Sequence, residues 1–413
     1  MRASTFIIML NTELCNTAKY TLKSVESVHD LAKILNSFQQ LINTDEKTSS
    51  IQIKAQALSY YSTDKLCPDR YSQFTIKKKS GKERIINAPH KRLKEIQKSI
   101  SAILQYAYPI SNHAYGFVLQ RNVAQNAALH VGKQYVYNID LKDFFHSFDL
   151  KQVKLALLNP DFDVISSEKI AYTIASLCTH TIKTEAGETK NVLPQGAPTS
   201  PVLTNIICNR LDRKLAGLAK RFNAIYSRYA DDITFSCDVN VFSFESFQNE
   251  LNRIIKTENK LEIQTEKSRI QHRSFRQEVT GIIVNEKVNI NQRYIKGIRM
   301  YLNLVERYGI EKATAMYQKD YQLDKGYQPK EKYNLKYILG GKINYLSMIR
   351  GKDDALTLKL AERWAMAFDV KKNNKTIASE IDMNEILDLL LKSGIDKAMK
   401  KFLDSKRWTK SIN

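Results

Sequence analysis

The fold is decided by residues 224–236, AIYSRYADDITFS. Two short runs of β-branched and aromatic residues flank a tight turn, which is a hairpin signature. At its tip stand two adjacent aspartates, Asp231 and Asp232. Neighbouring carboxylates repel each other, so a purely structural role is poor, and a cation would relieve the repulsion. The alternative is an exposed acidic turn, which short motifs often turn out to be.

Upstream, YVYNID (135–140) reads as a strand ending in a third carboxylate, Asp140. Three carboxylates at the ends of two strands match what a pair of Mg²⁺ ions requires for in-line phosphoryl transfer. Hard Mg²⁺ prefers oxygen ligands and keeps its waters for substrate phosphates. Histidine-based metal sites are disfavoured, because the seven histidines are dispersed and none has HExxH or HxxxH spacing. The five cysteines are odd in number, widely spread and form no CxxC pair, which argues against a disulfide scaffold or zinc ribbon.

Outward from this centre, residues 74–89 read as β-like pieces around a Ser80-Gly81 turn, and residues 91–106 as a helix. Residues 28–41 carry apolar side chains at helical spacing, as do Ile295, Ile298, Leu302 and Val305. Residues 279–284 and 288–290 are expected to pair as strands. Strands in the middle and helices on both flanks imply an α+β centre with a helical C-terminal part.

The 413 residues carry 64 Lys+Arg against 43 Asp+Glu, a net +21. That surplus predicts a polyanionic partner, most simply nucleic acid, rather than solubility alone. Its distribution agrees. Residues 70–98 hold ten basic residues against two acidic, and residues 291–413 hold 25 against 15. Two basic regions flanking a more neutral centre suggest the walls of a cleft. No apolar run reaches the length of a membrane span or a signal-peptide core, so no membrane partner and a cytoplasmic location are expected.

With these residues in place, the sequence resembles the reverse transcriptases. Tyr229-Ala230-Asp231-Asp232 is similar to their YxDD signature. DLKDFF (140–145) resembles their first catalytic motif, and LPQGAPTSP (193–201) their LPQGxxxSP segment. Asn126 to His130 (NAALH) and Val279-Thr280-Gly281 resemble the NAxxH and VTG signatures of the bacterial retron branch.

The resemblance implies an α+β right-hand polymerase. A helical extension would occupy 1–57, fingers 58–135, palm 136–292 with part of the fingers at about 150–192, thumb 293–370, and a second helical extension 371–413. It implies two Mg²⁺ ions held by Asp140, Leu141, Asp231 and Asp232. Lys78 and Arg84 would hold the triphosphate, with Arg suited to bidentate phosphate contact and Lys to a point charge. Phe145 falls at the family's steric gate against a ribose 2′-OH; a core phenylalanine is the alternative. Asp143 is expected to face elsewhere. Gln195 and Gly196 would contact the nucleotide, Gly196 letting the backbone approach closely. Lys267 would protonate the leaving pyrophosphate. Asn126, His130, Tyr229, Val279, Thr280, Gly281 and Arg299 would touch RNA or primer.

The implied substrates are dNTPs and a structured noncoding RNA template, and the product is a short DNA. The likeness also implies priming from an RNA 2′-OH and antiphage defence with a separately encoded effector; oligomeric state stays open. Two rivals remain: a defence reverse transcriptase of another branch, protein-primed or untemplated, and a scaffold with a dead palm. The intact Asp140, Asp231 and Asp232 speak against the latter.

Overall fold

The computed structural model describes residues 3–42, 52–77, 83–183, 187–325 and 333–368. Three helices come first: α1 (Ala3–Lys23), α2 (Val28–Ile42) and α3 (Ala55–Tyr61). In α2 the helical spacing sends Leu31, Leu35 and Phe38 inward. Strands β1 (Tyr71–Lys77) and β2 (Glu83–Pro89) pair antiparallel, with Tyr71 opposite Pro89. The Ser80-Gly81 turn between them, and Lys78 with it, lie outside the described residues. Next come α4 (Lys91–Ala107), α5 (Val123–Ala128) and β3 (Tyr135–Asp140).

The middle of the chain continues through α6 (Leu150–Leu157), α7 (Glu168–Cys178) and the hairpin β4 (His180–Lys183) with β5 (Thr189–Val192). Helices α8 (Ser200–Ile207) and α9 (Asn209–Arg221) lead into the hairpin β6 (Ile225–Tyr229) and β7 (Asp232–Cys237). After α10 (Glu245–Asn252) and one π-helical stretch (Arg253–Glu258) comes β8 (Arg269–His272). A two-residue pair, β9 (Glu278–Val279) and β10 (Ile282–Ile283), precedes three helices: α11 (Gln292–Lys325), α12 (Leu335–Arg350) and α13 (Ala355–Ala367). Gly309, at φ 81°, breaks α11.

The central sheet has the order β6-β7-β3-β8 and every pair is antiparallel. Side chains alternate between its faces. Tyr226, Ile233, Phe235, Tyr137 and Ile139 fill one face and belong to the main core. Phe235 meets Phe242 and Phe247 edge-on or tilted, with centroids 6.4 and 5.4 Å apart. That core is continuous from α1 and α2 to α10, so the N-terminal helices pack into the fingers and palm rather than standing apart. A second core joins Ala124, Ala127, Val136, Val279 and Ile282 to the inner residues of α11, α12 and α13. The helical C-terminal part thus has its own core; residues 371–413 lie outside the described residues.

One sequence expectation is corrected here. Residues 279–284 and 288–290 do not pair as two strands. Residues 278–283 form a hairpin by themselves, because Thr280 and Gly281 adopt the positive φ values (49° and 81°) that a tight turn demands. Only Asn289 bridges back, to Ile283.

Candidate active site

Strand register brings the carboxylates together. Asp140 lies directly opposite Asp232 across β3 and β7, and Asp231 sits in the turn beside them. Like charges facing each other across a ladder are destabilising, so the sheet bears a local cost at this point. The turn is held by its surroundings. Ala230 takes φ 57°, uncommon for a residue with a side chain. The Leu141 amide donates to the Asp231 carbonyl at 3.2 Å. Gly116 presses against the turn: a Cβ there would come within 2.7 Å of the Ala230 nitrogen.

Beneath the turn lies a pair that sequence reading missed. Arg228 is 0% exposed, and its Nε and Nη2 donate to Asp212 of α9 at 2.7 and 2.8 Å. Its Nη1 donates to the Ala230 carbonyl at 3.1 Å, and Tyr226 donates its hydroxyl to Asp212 at 2.7 Å. A buried charge is tolerated only when paired in this way. Nothing in the spacing of residues 212 and 228 announces the contact, since it depends on how α9 stacks against the strand that follows it.

The three carboxylates open into a cavity of about 480 Å³. Arg84, Phe145, Gln195, Gly196, Tyr229 and Lys267 also line it. Lys267 donates to Asp140 Oδ2 at 2.7 Å. Asp232 has an edge open to the cavity, yet crowding by protein atoms, then Asp231 and Asp140, pushes it up to about 7. Asp231 is raised for the same leading reason, burial, and then by Asp140, while Arg84 and Lys267 pull it down. This is an oxygen donor set whose negative charge Lys267 offsets only in part, which fits a hard divalent cation. Among the described residues no three side chains form a ready-made metal cage. Mg²⁺ does not need one, since it keeps several waters and takes substrate phosphates. The Leu141 side chain is a hydrocarbon with no donor atom, so only its carbonyl could serve as a ligand.

Phe144 is buried in the core, whereas Phe145 beside it is half-buried and reaches the cavity. Asp143, expected to face elsewhere, also contributes to the cavity wall, with its backbone at φ 44°. Gly196, at φ 130°, is also required for a close approach within the protein. A Cβ would meet the Asn87 carbonyl at 2.8 Å, and the Asn87 amide donates to the Gln195 carbonyl at 2.9 Å. The loop therefore fastens β2 to the palm while forming part of the cavity. Phe117 was not singled out from sequence. It is 54% exposed, lines the cavity at φ 59°, and its ring lies 6.2 Å from that of Tyr229.

The expectation of RNA contact by the two retron signatures is corrected for three side chains. His130 is 0% exposed, and its ring nitrogens meet the hydroxyls of Ser236 at 2.7 Å and Ser227 at 2.8 Å. Burial lowers it to about 3, so the imidazole is neutral. Asn126 is 1% exposed, with neither amide atom hydrogen-bonded among the described residues, and Val279 is core. An Asn122/Gln125 capping box starts α5, and α5 packs between β6 and the β9–β10 hairpin. The Gly132 amide donates to Val284. NAxxH and VTG thus meet in one internal joint between palm sheet and C-terminal helices. Thr280 and Gly281 form the turn of that joint, away from the cavity, and Arg299 is exposed on α11.

Sheet, carboxylate cluster and flanking helices together define a right-hand polymerase fold. The sequence profile described as "Reverse transcriptase (RNA-dependent DNA polymerase)" matches residues 76–293. The chain is 37% identical over 243 residues to Retron Mx65 reverse transcriptase of Myxococcus xanthus, covering 56% of this chain and 55% of that protein. It is 32% identical over 234 residues to Retron Mx162 reverse transcriptase of the same organism, covering 52% and 47%. Retron Ec86 reverse transcriptase of Escherichia coli is 32% identical over 260 residues, covering 61% of this chain and 74% of that protein. The chain belongs to the reverse transcriptase family, within its bacterial retron type. It spans about half the length of the two Myxococcus relatives.

Proposed function

We propose that the protein is an RNA-directed DNA polymerase of the retron type, copying a structured noncoding RNA into a short DNA. The observation that carries this is the opposition of Asp140 and Asp232 with Asp231 beside them, in a cavity that Arg84 and Lys267 share. Asp140, Asp231, Asp232 and the Leu141 carbonyl would hold two Mg²⁺ ions. When bound, these supply the charge that activates a primer hydroxyl and stabilises departing pyrophosphate.

The chain's own groups do the rest. Arg84, with Lys78 before it in sequence, binds the triphosphate of a dNTP. Gln195 and Gly196 position the nucleotide against the template, and Phe145 closes the space a ribose 2′-OH would need. Lys267, held at Asp140, gives its proton to pyrophosphate as that group leaves. Tyr229 borders the primer end, and Gly281 and Arg299 are exposed where a duplex could lie, whereas the Thr280 hydroxyl between β9 and β10 is buried.

Family likeness supports the finer parts of this reading: a 2′-OH primer on the RNA itself, a cytoplasmic setting, and antiphage defence with a separately encoded effector. The experiment is to purify the protein from its host and analyse its bound nucleic acid. A DNA joined to RNA, whose 5′ end debranching enzyme releases, is expected. A peptide at that end, or a homopolymer with no RNA template, would replace the retron reading with the protein-primed or untemplated one.

A further inference from the structure

We propose that the outward face of α9, whose flanking grooves are separate from the catalytic cavity, is a second RNA-binding surface that holds an unpaired segment of the template RNA. This rests on the polymerase reading only in taking RNA as the partner.

Helix α9 turns Leu211, Asp212, Leu215, Leu218 and Ala219 inward. Its solvent side carries Arg210, Arg213, Lys220 and Arg221. Those four cations span twelve residues, about 16 Å of helix at 1.5 Å per residue step. The helix's one acidic residue, Asp212, is buried and committed to Arg228 and Tyr226, so it does not offset them. Lys214 is excluded from the stripe because Glu258 pairs with it. Arg213 has only a loose neighbour, Asp161 at 3.9 Å, and Arg221 lies over the Phe222 ring at 5.6 Å. Among the described residues no carboxylate lies within ion-pair distance of Arg210 or Lys220. Gly217, midway along the stripe, is exposed, and nothing lies within 4 Å of where a Cβ would stand. A phosphodiester backbone can therefore come close to the helix there.

Grooves run on both sides of this ridge. One, of about 650 Å³, has Leu155, Leu158 and Phe162 in its walls with Arg210 and Arg213 at its edge. The other, of about 670 Å³, offers Asn112, His113, Tyr115 and Asn223 beside Lys220. Neither shares a residue with the catalytic cavity. A row of cations between grooves that hold aromatic and amide groups matches the chemistry of single-stranded RNA: phosphates follow the ridge, and unstacked bases enter the grooves. A protein partner would be expected to find an apolar, charge-depleted centre instead.

The test uses the full-length chain and a fluorescein-labelled RNA hairpin with a single-stranded tail, read by anisotropy across a salt series. Arg210→Glu with Arg213→Glu reverses two exposed charges without disturbing the inward face. Lys65→Glu with Lys169→Glu makes the same change in net charge elsewhere on the exposed surface. The α9 variant should bind about tenfold more weakly and lose about 2 from the slope of log K against log salt. The control should stay within about twofold. Extension of a short annealed primer–template should be unchanged in both. Equal weakening by both variants, or no weakening by the α9 pair, overturns the proposal. So does a loss of short-duplex extension that parallels the loss of RNA affinity. The polymerase reading is judged separately, by whether the unaltered protein extends that short duplex at all.

Discussion

Two ends of one sheet face carry opposite solutions to the problem of polar groups. At one end Asp140, Asp232 and Tyr229 stand at an open cavity, with like charges opposed and Asp232 pushed up to about 7. Toward the other end, Ser227 and Ser236 meet His130, whose ring is sealed from water with both nitrogens engaged. The open end keeps its carboxylates crowded together, with Lys267 at Asp140 offsetting part of their charge. At the covered end the His130 ring is neutral and satisfied, and that end binds palm to C-terminal helices. Signature motifs occur at both ends, so a motif marks a constraint and does not by itself say whether the constraint is chemical or architectural.

The largest expected effect breaks the open end. Asp231→Asn with Asp232→Asn should lower DNA synthesis by about 10³-fold or more, since each change removes a ligand for the developing charge. RNA binding should be almost unaffected, because the basic surface is intact. Full-rate synthesis by the double variant in a primer-extension assay would refute the assignment.

The next concerns the support beneath. Arg228→Met leaves Asp212 buried without its partner and should cost about 3–5 kcal/mol in urea unfolding. Asp212→Leu with Arg228→Met should recover part of that, because no buried charge is left unpaired, although the Tyr226 hydroxyl loses its acceptor. Synthesis should remain impaired in the refolded pair, because the Ala230 carbonyl has lost its donor. Full activity in the pair would show that the clamp serves folding alone.

The covered end should fail in acid. His130 is held below the ordinary histidine range, at about 3, so the unfolded chain takes up a proton that the native chain refuses. Stability from this group is complete above the unfolded value of about 6.5 and declines as pH falls toward 3. Near pH 5 the loss is about 2 kcal/mol. His130→Gln should be less stable at neutral pH but show a flatter decline, measured by urea midpoints. An identical slope in both proteins would assign the acid sensitivity to other groups.

Much of this was legible in the sequence. The strands around Asp140 and the 231–232 pair, the helix over 91–106 and the helical C-terminal part follow from periodicity and turn chemistry. The convergence of the carboxylates follows from their positions at strand ends. What was not legible depends on packing between distant elements. Likeness to the NAxxH signature assigns Asn126 and His130 to RNA contact, yet α5 and the residues just after it turn them inward. Arg228 and Asp212 look like surface charges until helix and strand are stacked. Gly196 reads as room for a nucleotide, and its tightest neighbour is the backbone of β2. Phe117 gives no signal at all, because an exposed aromatic at positive φ has no periodic signature.

The smallest expected effect tests the boundary between core and cavity, where Phe144 and Phe145 diverge. Their rings lie 5.6 Å apart, edge to face, yet one is buried and the other reaches the cavity wall. If Phe145 closes the space beside the sugar, Phe145→Ala should admit a ribose 2′-OH while leaving the carboxylates in place. Discrimination between matched dNTP and rNTP should then fall about tenfold, some 1.4 kcal/mol of differential transition-state binding. Truncating a half-buried ring also costs stability, so the ratio of the two kcat/KM values is the quantity to compare, since a general loss of active protein cancels from it. Phe145→Tyr, which keeps the ring, should preserve the ratio. Phe144→Ala should reduce the yield of folded protein and leave the ratio alone. An unchanged ratio in Phe145→Ala would place that ring with Phe144 as core, and the open end of the sheet would then choose its sugar by another group in the cavity.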